Sequence, residues 1–260
     1  MRATPDGHHE QFVVASLNTR GTPIGGSRLT ARYAEIARAF EASPVQVVNF
    51  QEVLTYYHLR RLAAGLPSFR AAYRPSLAGP AGGVVTFSRL PVESVRYRRL
   101  PAPRSTELSL RLRGFLKGAL VTRVAGLSVV NVHLLANTDG TWSASNRFHP
   151  IHQQQLTELA ALVGSLALPC VVTGDFNIPR HKPLVQDFLN TTRLVDAFGG
   201  ECPPTFQQAY LPAGMKSQCI DFILTAGLTA ESADVVFEEE LPSIGYVSDH
   251  IGLLTQLIRV

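Results

Sequence analysis

The chain has 260 residues, 45% hydrophobic and 17% charged, which supplies enough apolar material for a large core and excludes a disordered polymer. The net charge is +4, and no run reaches the ~20 apolar residues of a membrane span. Residues 1–10 lack an apolar leader region, and the three cysteines cannot all pair and form no CxxC, which argues against a zinc or redox motif.

Residues 12–17 read as a first strand, and residues 28–40 as a helix with Ile36, Ala37 and Phe40 turned inward. A second strand over 45–50 ends at Gln51-Glu52. A helix over 56–64 stops at Gly65, and a strand over 82–88 is entered through Gly82-Gly83. Residues 96–123 carry Arg96, Arg98, Arg99, Arg104, Arg111, Arg113, Lys117 and Arg123. This run suits a polyanion, an anionic membrane surface or a solvated sheet face. Strands over 118–124 and 127–133 flank Ala125-Gly126, a hairpin turn. A polar stretch with the single Trp142 leads to Pro150, which opens a helix to about residue 166. Next come the apolar run ending in Thr173-Gly174-Asp175-Phe176-Asn177, a short helix over 184–189, and strands over 219–225 and 251–258. Helices alternate with strands, but hairpins interrupt the alternation. That favours two packed, mixed sheets with helices outside, in a single domain spanning 1–260 whose first ten residues are flexible.

Polar residues close these strands in a repeated pattern. Asn18, Glu52, His133 and the pair Asp175/Asn177 each follow an apolar run; Asp221 lies inside one, and Asp249-His250 precede one. Asp175 and Asn177 are two apart, so an extended backbone points both the same way. Carboxylates, carboxamides and two imidazoles can activate water and stabilise an oxyanion. The set has no cysteine nucleophile and no serine elbow, and its hard oxygen donors suit Mg²⁺ or Mn²⁺ rather than zinc.

At Gln51-Glu52, Gly174-Asp175-Phe176-Asn177, Ile220-Asp221 and Ser248-Asp249-His250 the sequence resembles the endonuclease/exonuclease/phosphatase superfamily. That superfamily includes pancreatic-type deoxyribonucleases, abasic-site endonucleases, inositol polyphosphate phosphatases and neutral sphingomyelinases. The resemblance runs from Asn18 to His250 in the family's order. It implies a four-layered α/β sandwich with the site at one edge of two mixed β-sheets packed face to face. It implies a Mg²⁺-dependent phosphodiesterase, with Glu52, Asn18 and Asp249 as metal ligands. Asp175 would orient or deprotonate water, and Asn177 would hold the nucleophile or a phosphoryl oxygen. His250 would bind phosphate or move a proton, with Asp221 fixing its tautomer, and His133 would be a phosphate-binding or general-acid residue. The resemblance leaves open which of Asp175 and His250 is the base.

Three fragments are similar to the sphingomyelinase-like branch: residues 83–92; Phe115-Leu116-Lys117-Gly118; and Asn131-Val132-His133-Leu134 with Arg147 and Gln154. They imply that Lys117 and Arg147 contact substrate. Ile178-Pro179-Arg180 stands where inositol phosphatases carry an aromatic residue and arginine, so phosphomonoesterase action on inositol phosphates ranks lower. The substrate stays open between nucleic acid and a phospholipid head group. A catalytically inactive phosphate-binding scaffold is the alternative of another class. The expected form is a cytoplasmic monomer, with secretion open if a leader was removed.

Overall fold

A computed structural model describes residues 10–21 and 28–260. The expected flexible stretch over 1–10 lies outside the described residues except for Glu10. The elements run β1 (Gln11–Asn18), α1 (Leu29–Glu41), β2 (Val47–Gln51), α2 (Tyr56–Gly65), β3 (Arg70–Ala72), β4 (Val85–Ser88), β5 (Val92–Arg99), α3 (Leu108–Phe115), β6 (Gly118–Val124) and β7 (Leu127–His133). They continue with α4 (His149–Gly164), β8 (Cys170–Asp175), α5 (Pro183–Thr192), β9 (Val195–Asp196), β10 (Asp221–Ala226), β11 (Leu228–Val236) and β12 (Gly252–Arg259).

Among the described residues the strands form two six-stranded sheets, ordered β11-β12-β1-β2-β4-β3 and β5-β6-β7-β8-β10-β9. Both are mixed. β1 and β2 run parallel, as do β7 and β8, and the other pairings are antiparallel. Side chains alternate across each strand, so one face of each sheet meets helices and the other meets the opposite sheet. Tyr33, Ile36 and Phe40 of α1 and Leu59 and Leu62 of α2 pack on Leu17, Val48 and Phe50. Leu156 and Leu159 of α4 and Phe188 of α5 cover Val130, Val132 and Val172 of the second sheet. The result is the expected four-layered α/β sandwich.

The layer between the sheets changes character along its length. Phe12, Val14, Val47, Val129, Val171 and Ile223 fill one end with apolar side chains. Each such burial contributes roughly 1.5–3 kcal/mol. The same inward registers then turn polar. Asn49 Nδ2 donates to Thr173 Oγ1 at 2.8 Å, and Asn131 Nδ2 donates to the Phe50 and Val85 carbonyls at 3.0 Å each. Gln51 Nε2 donates to Asn131 Oδ1 at 2.8 Å. These residues are fully buried, and their amide nitrogens are bonded across the sheets, while Gln51 Oε1 is left without a partner. The candidate site lies at this polar end.

The hairpin at Ala125-Gly126 has two left-handed residues, φ 45° and 76°, the signature of a type I′ turn. Thr55 caps α2 by accepting from His58 N–H at 3.2 Å. Several elements depart from the sequence expectation. The strand expected from residue 82 begins at Val85, because 81–83 form a short 3₁₀ turn. The strand expected from Cys219 begins at Asp221. β3, β5, β9, β11 and α3 carry no clear inward periodicity: β5 and β11 are edge strands with mostly exposed side chains, and α3 buries only Leu110 and Gly114.

Candidate active site

Strand register assembles the site. His133 at the end of β7 lies opposite Asp175 at the end of β8, and Asp175 lies opposite Asp221 at the start of β10. Asn18 ends β1 in the other sheet, next to Gln51 of β2. His250 joins through an isolated bridge to Phe206 just before β12. Gly174 lets the chain reach Asp175. Its φ is 132°, and a Cβ there would stand 2.0 Å from the Val132 carbonyl oxygen, so only glycine fits. Glu52 takes a left-handed conformation, φ 61°, directly after β2. Its carbonyl packs on Gly21, where a Cβ would fall 1.7 Å away.

One carboxylate oxygen is the meeting point. Asp175 Oδ2 accepts from Asn18 Nδ2 at 3.1 Å and faces His133 Nε2 at 3.6 Å and His250 Nε2 at 3.8 Å. Its other oxygen, Oδ1, accepts from the Asn177 N–H at 2.8 Å. Asn177 is left-handed, φ 55°; its Nδ2 donates to the Leu134 carbonyl at 3.1 Å, and its carbonyl accepts from Trp142 Nε1 at 3.0 Å. His250 Nδ1 donates to Asp221 Oδ2 at 2.8 Å. Lys117 Nζ lies 2.7 Å from His133 Nε2 and donates to it. The β6–β7 hairpin makes that contact by setting Gly118 opposite His133.

The electrostatics follow from burial and these neighbours. Burial raises the Asp175 carboxyl to about 7, with Asp221 adding to the rise and His250, Lys117 and Asn18 opposing it. Burial works against the His250 imidazolium, but Asp221, Asp175 and Asp249 outweigh it and raise its pKa to about 10. Burial lowers Lys117 to about 8 despite Glu52 and Asp175, and burial with Lys117 and His250 pushes His133 well below its ordinary value. At neutral pH the site therefore holds a protonated His250, a neutral His133 and an Asp175 carboxyl raised toward its neutral form.

The structure brings Asn18, Lys117, His133, Asp175, Asn177, Asp221 and His250 into one network. Glu52 lies close enough to raise Lys117 electrostatically, and Asp249 to raise His250. Arg147 stands apart: Asp139 holds its half-exposed guanidinium at 2.8 Å. Ligand atoms of Asp175, Asp221 and His250 lie within 4.8 Å of one another, a spacing that can hold a metal ion. Arg20 escaped the sequence reading. Its N–H donates to Asn18 Oδ1 at 3.1 Å, its Nε lies 3.7 Å from Asp249 Oδ2, and its guanidinium stacks over Tyr210 at 4.1 Å. Its position two residues past Asn18 was the available signal. Arg180, read from the sequence only within Ile178-Pro179-Arg180, donates to the Asp221 carbonyl at 3.0 Å and pairs with Asp196.

The sequence pattern of the Endonuclease/Exonuclease/phosphatase family matches residues 15–250. No curated protein matches the chain by sequence. Among solved structures, D. rerio TDP2 complexed with a single-strand DNA product aligns with a TM-score of 0.74 at 16% identity, over 95% of this chain and 98% of that one. An endonuclease/exonuclease/phosphatase from Bacteroides vulgatus aligns at 0.71 and 20% identity, over 96% and 100% of the two chains. Sphingomyelinase C from Streptomyces griseocarneus aligns at 0.68 and 16% identity, over 95% and 99%. At these identities the likeness is one of fold.

Proposed function

Because the chain belongs to the endonuclease/exonuclease/phosphatase family, we propose that it is a Mg²⁺-dependent hydrolase of phosphodiester bonds, acting as one catalytic domain on nucleic acid or on a phospholipid head group. The observation that carries this reading is the convergence of Asn18, His133 and His250, from separate segments, within 3.8 Å of a single Asp175 oxygen.

Glu52, Asn18 and Asp249 are the residues that would hold the metal. Their donors are all hard oxygens, which fit Mg²⁺ and tolerate Mn²⁺. When bound, the cation draws charge from a phosphoryl oxygen. Asp175 accepts the proton of the attacking water. Its pKa of about 7 matches that task at neutral pH, and Asn18 and Asn177 fix its orientation. His250 enters protonated, its ring orientation fixed by Asp221, and its Nε2–H faces the developing negative charge. Lys117 supplies a further cation for the phosphoryl group and keeps His133 as an acceptor at Nε2. Arg147, which pairs with Asp139, would contact substrate beyond this set.

Both substrate classes have precedent in the fold: D. rerio TDP2 carries a single-strand DNA product, and another neighbour is a sphingomyelinase C. The test is release of nitrophenolate from bis(p-nitrophenyl) phosphate. Mg²⁺ should support it, EDTA should abolish it, and Asp175→Asn should lower it by roughly 10²–10⁴. A folded, metal-supplied sample that releases none would mark a non-catalytic phosphate-binding scaffold.

A further inference from the structure

Helix α3 presents an unusual surface. It anchors itself through Leu110 and Gly114, four residues apart on one stripe, with Leu110 joining Ala102, Leu135, Phe148 and Ile151 in a small core. A Cβ at Gly114 would stand 3.0 Å from the Ala102 Cβ, so the glycine allows a close approach there. At 100° per residue the opposite face carries Leu108, Leu112 and Phe115, followed by Leu116 at the C-cap. All four are turned to solvent, at 67%, 62%, 49% and 67% exposure. Arg111 and Arg113 flank this apolar stripe, one on each side. Residues 96–117 hold seven Arg or Lys against the single carboxylate of Glu107.

The helix leads straight into the site. Its cap residue Leu116 precedes Lys117, and Lys117 N–H bonds back to the Gly114 carbonyl at 3.0 Å. Arg113 reaches the Ala136 carbonyl, on the loop that follows His133, at 3.3 Å. A groove of about 420 Å³ beside the helix is lined by Arg104, Leu108, Arg111, Leu112 and Phe115, so apolar side chains and guanidiniums share one concavity.

We propose that α3 is an interfacial helix: Leu108, Leu112, Phe115 and Leu116 enter the head-group region of an anionic phospholipid bilayer while Arg111 and Arg113 bind lipid phosphates. This rests on the phosphodiesterase reading and narrows it, because a bilayer docked there delivers lipid head groups to Lys117. Charge complementarity selects the occupant. A solvated sheet face needs no leucine stripe, and a nucleic-acid groove gains nothing from one, whereas an apolar face rimmed by arginine is the pattern of helices that lie in an anionic interface.

The test is co-sedimentation of the full chain with vesicles of phosphatidylcholine alone and of phosphatidylcholine mixed with phosphatidylglycerol. Wild-type protein should pellet with the mixed vesicles, less so at high salt, and Leu112→Glu and Arg111→Glu should each weaken this by roughly tenfold or more. Turnover of the soluble ester and the unfolding midpoint serve as controls. Failure of wild type to bind the mixed vesicles, or unchanged binding by Leu112→Glu, overturns the inference. So does loss of oligonucleotide affinity in Arg111→Glu alone, without vesicle binding, which would give the arginines to nucleic acid. Conversion of a dimer to a monomer by Leu112→Glu without vesicle binding would give the stripe to a second copy and also overturns it. Vesicle binding by a protein that cleaves no ester would fault the hydrolase reading while leaving the docking surface standing.

Discussion

Lys117 shows how a single side chain links packing to pH response. Burial pulls its pKa down to about 8, and Glu52 and Asp175 only partly resist. The ammonium is therefore charged below that value and neutral above it, so its attraction for an anion fades as pH rises through about 8. Sulfate, whose charge is constant over this range, should bind the metal-free protein roughly tenfold more weakly at the alkaline end, and Lys117→Met should flatten the part of that decline centred near 8. Calorimetry on both proteins checks this; a parallel decline in the variant would assign the effect elsewhere. The catalytic-type residues were legible because strands put them at their ends, where Val-rich runs stop at Asn18, Glu52, His133 and Asp175. The Lys117–His133 contact follows from hairpin register, which the Ala125-Gly126 turn encodes. The Arg20–Asp249 contact was hidden, because it joins residues 229 positions apart with no local signature.

Among the elements, α4 does more than cover a sheet. Gln155 Oε1 accepts from the Leu135 N–H at 3.1 Å, Gln155 Nε2 donates to the Leu100 carbonyl at 2.7 Å, and His152 Nε2 lies 2.8 Å from the Leu135 carbonyl. The helix thereby fixes the loop that leaves His133. Burial lowers His152 to about 4, its contact with Leu135 opposing the drop. The unfolded chain takes up this proton near 6.5 and the folded one only near 4. The stabilising difference is thus full above about 6.5 and lost as pH falls toward 4, a loss of about 3 kcal/mol across the window. Urea unfolding at several pH values should show His152→Gln with a shallower acid decline than wild type; equal slopes would contradict the assignment. A helix here was readable from Leu156, Leu159 and Val163 at helical spacing. α3 was not, because Leu108, Leu110 and Leu112 alternate with polar residues as in a strand, and β11 was not, because an edge strand buries little.

The whole molecule depends on two sheets agreeing in position, and polar side chains between them set that agreement. Asn131 alone joins β7 to Phe50 and Val85 of the opposite sheet and receives Gln51. Asn131→Ala leaves those groups buried with fewer partners and should cost about 3 kcal/mol in chemical denaturation; a loss below about 1 kcal/mol would show the seam to be dispensable. Composition and alternating elements made the layered architecture legible. Asn49 and Asn131 did not announce themselves, since an amide inside a Val-rich strand looks like an interruption until its partner across the layer is known. The strand order also sets a schedule for synthesis. β1 lies between β2 and β12, with Gln11 paired to Ile258, so among the described strands the first made waits for the last to complete its surroundings. A chain halted short of His250 would lack both the imidazole that faces Asp175 and the strand that seals β1.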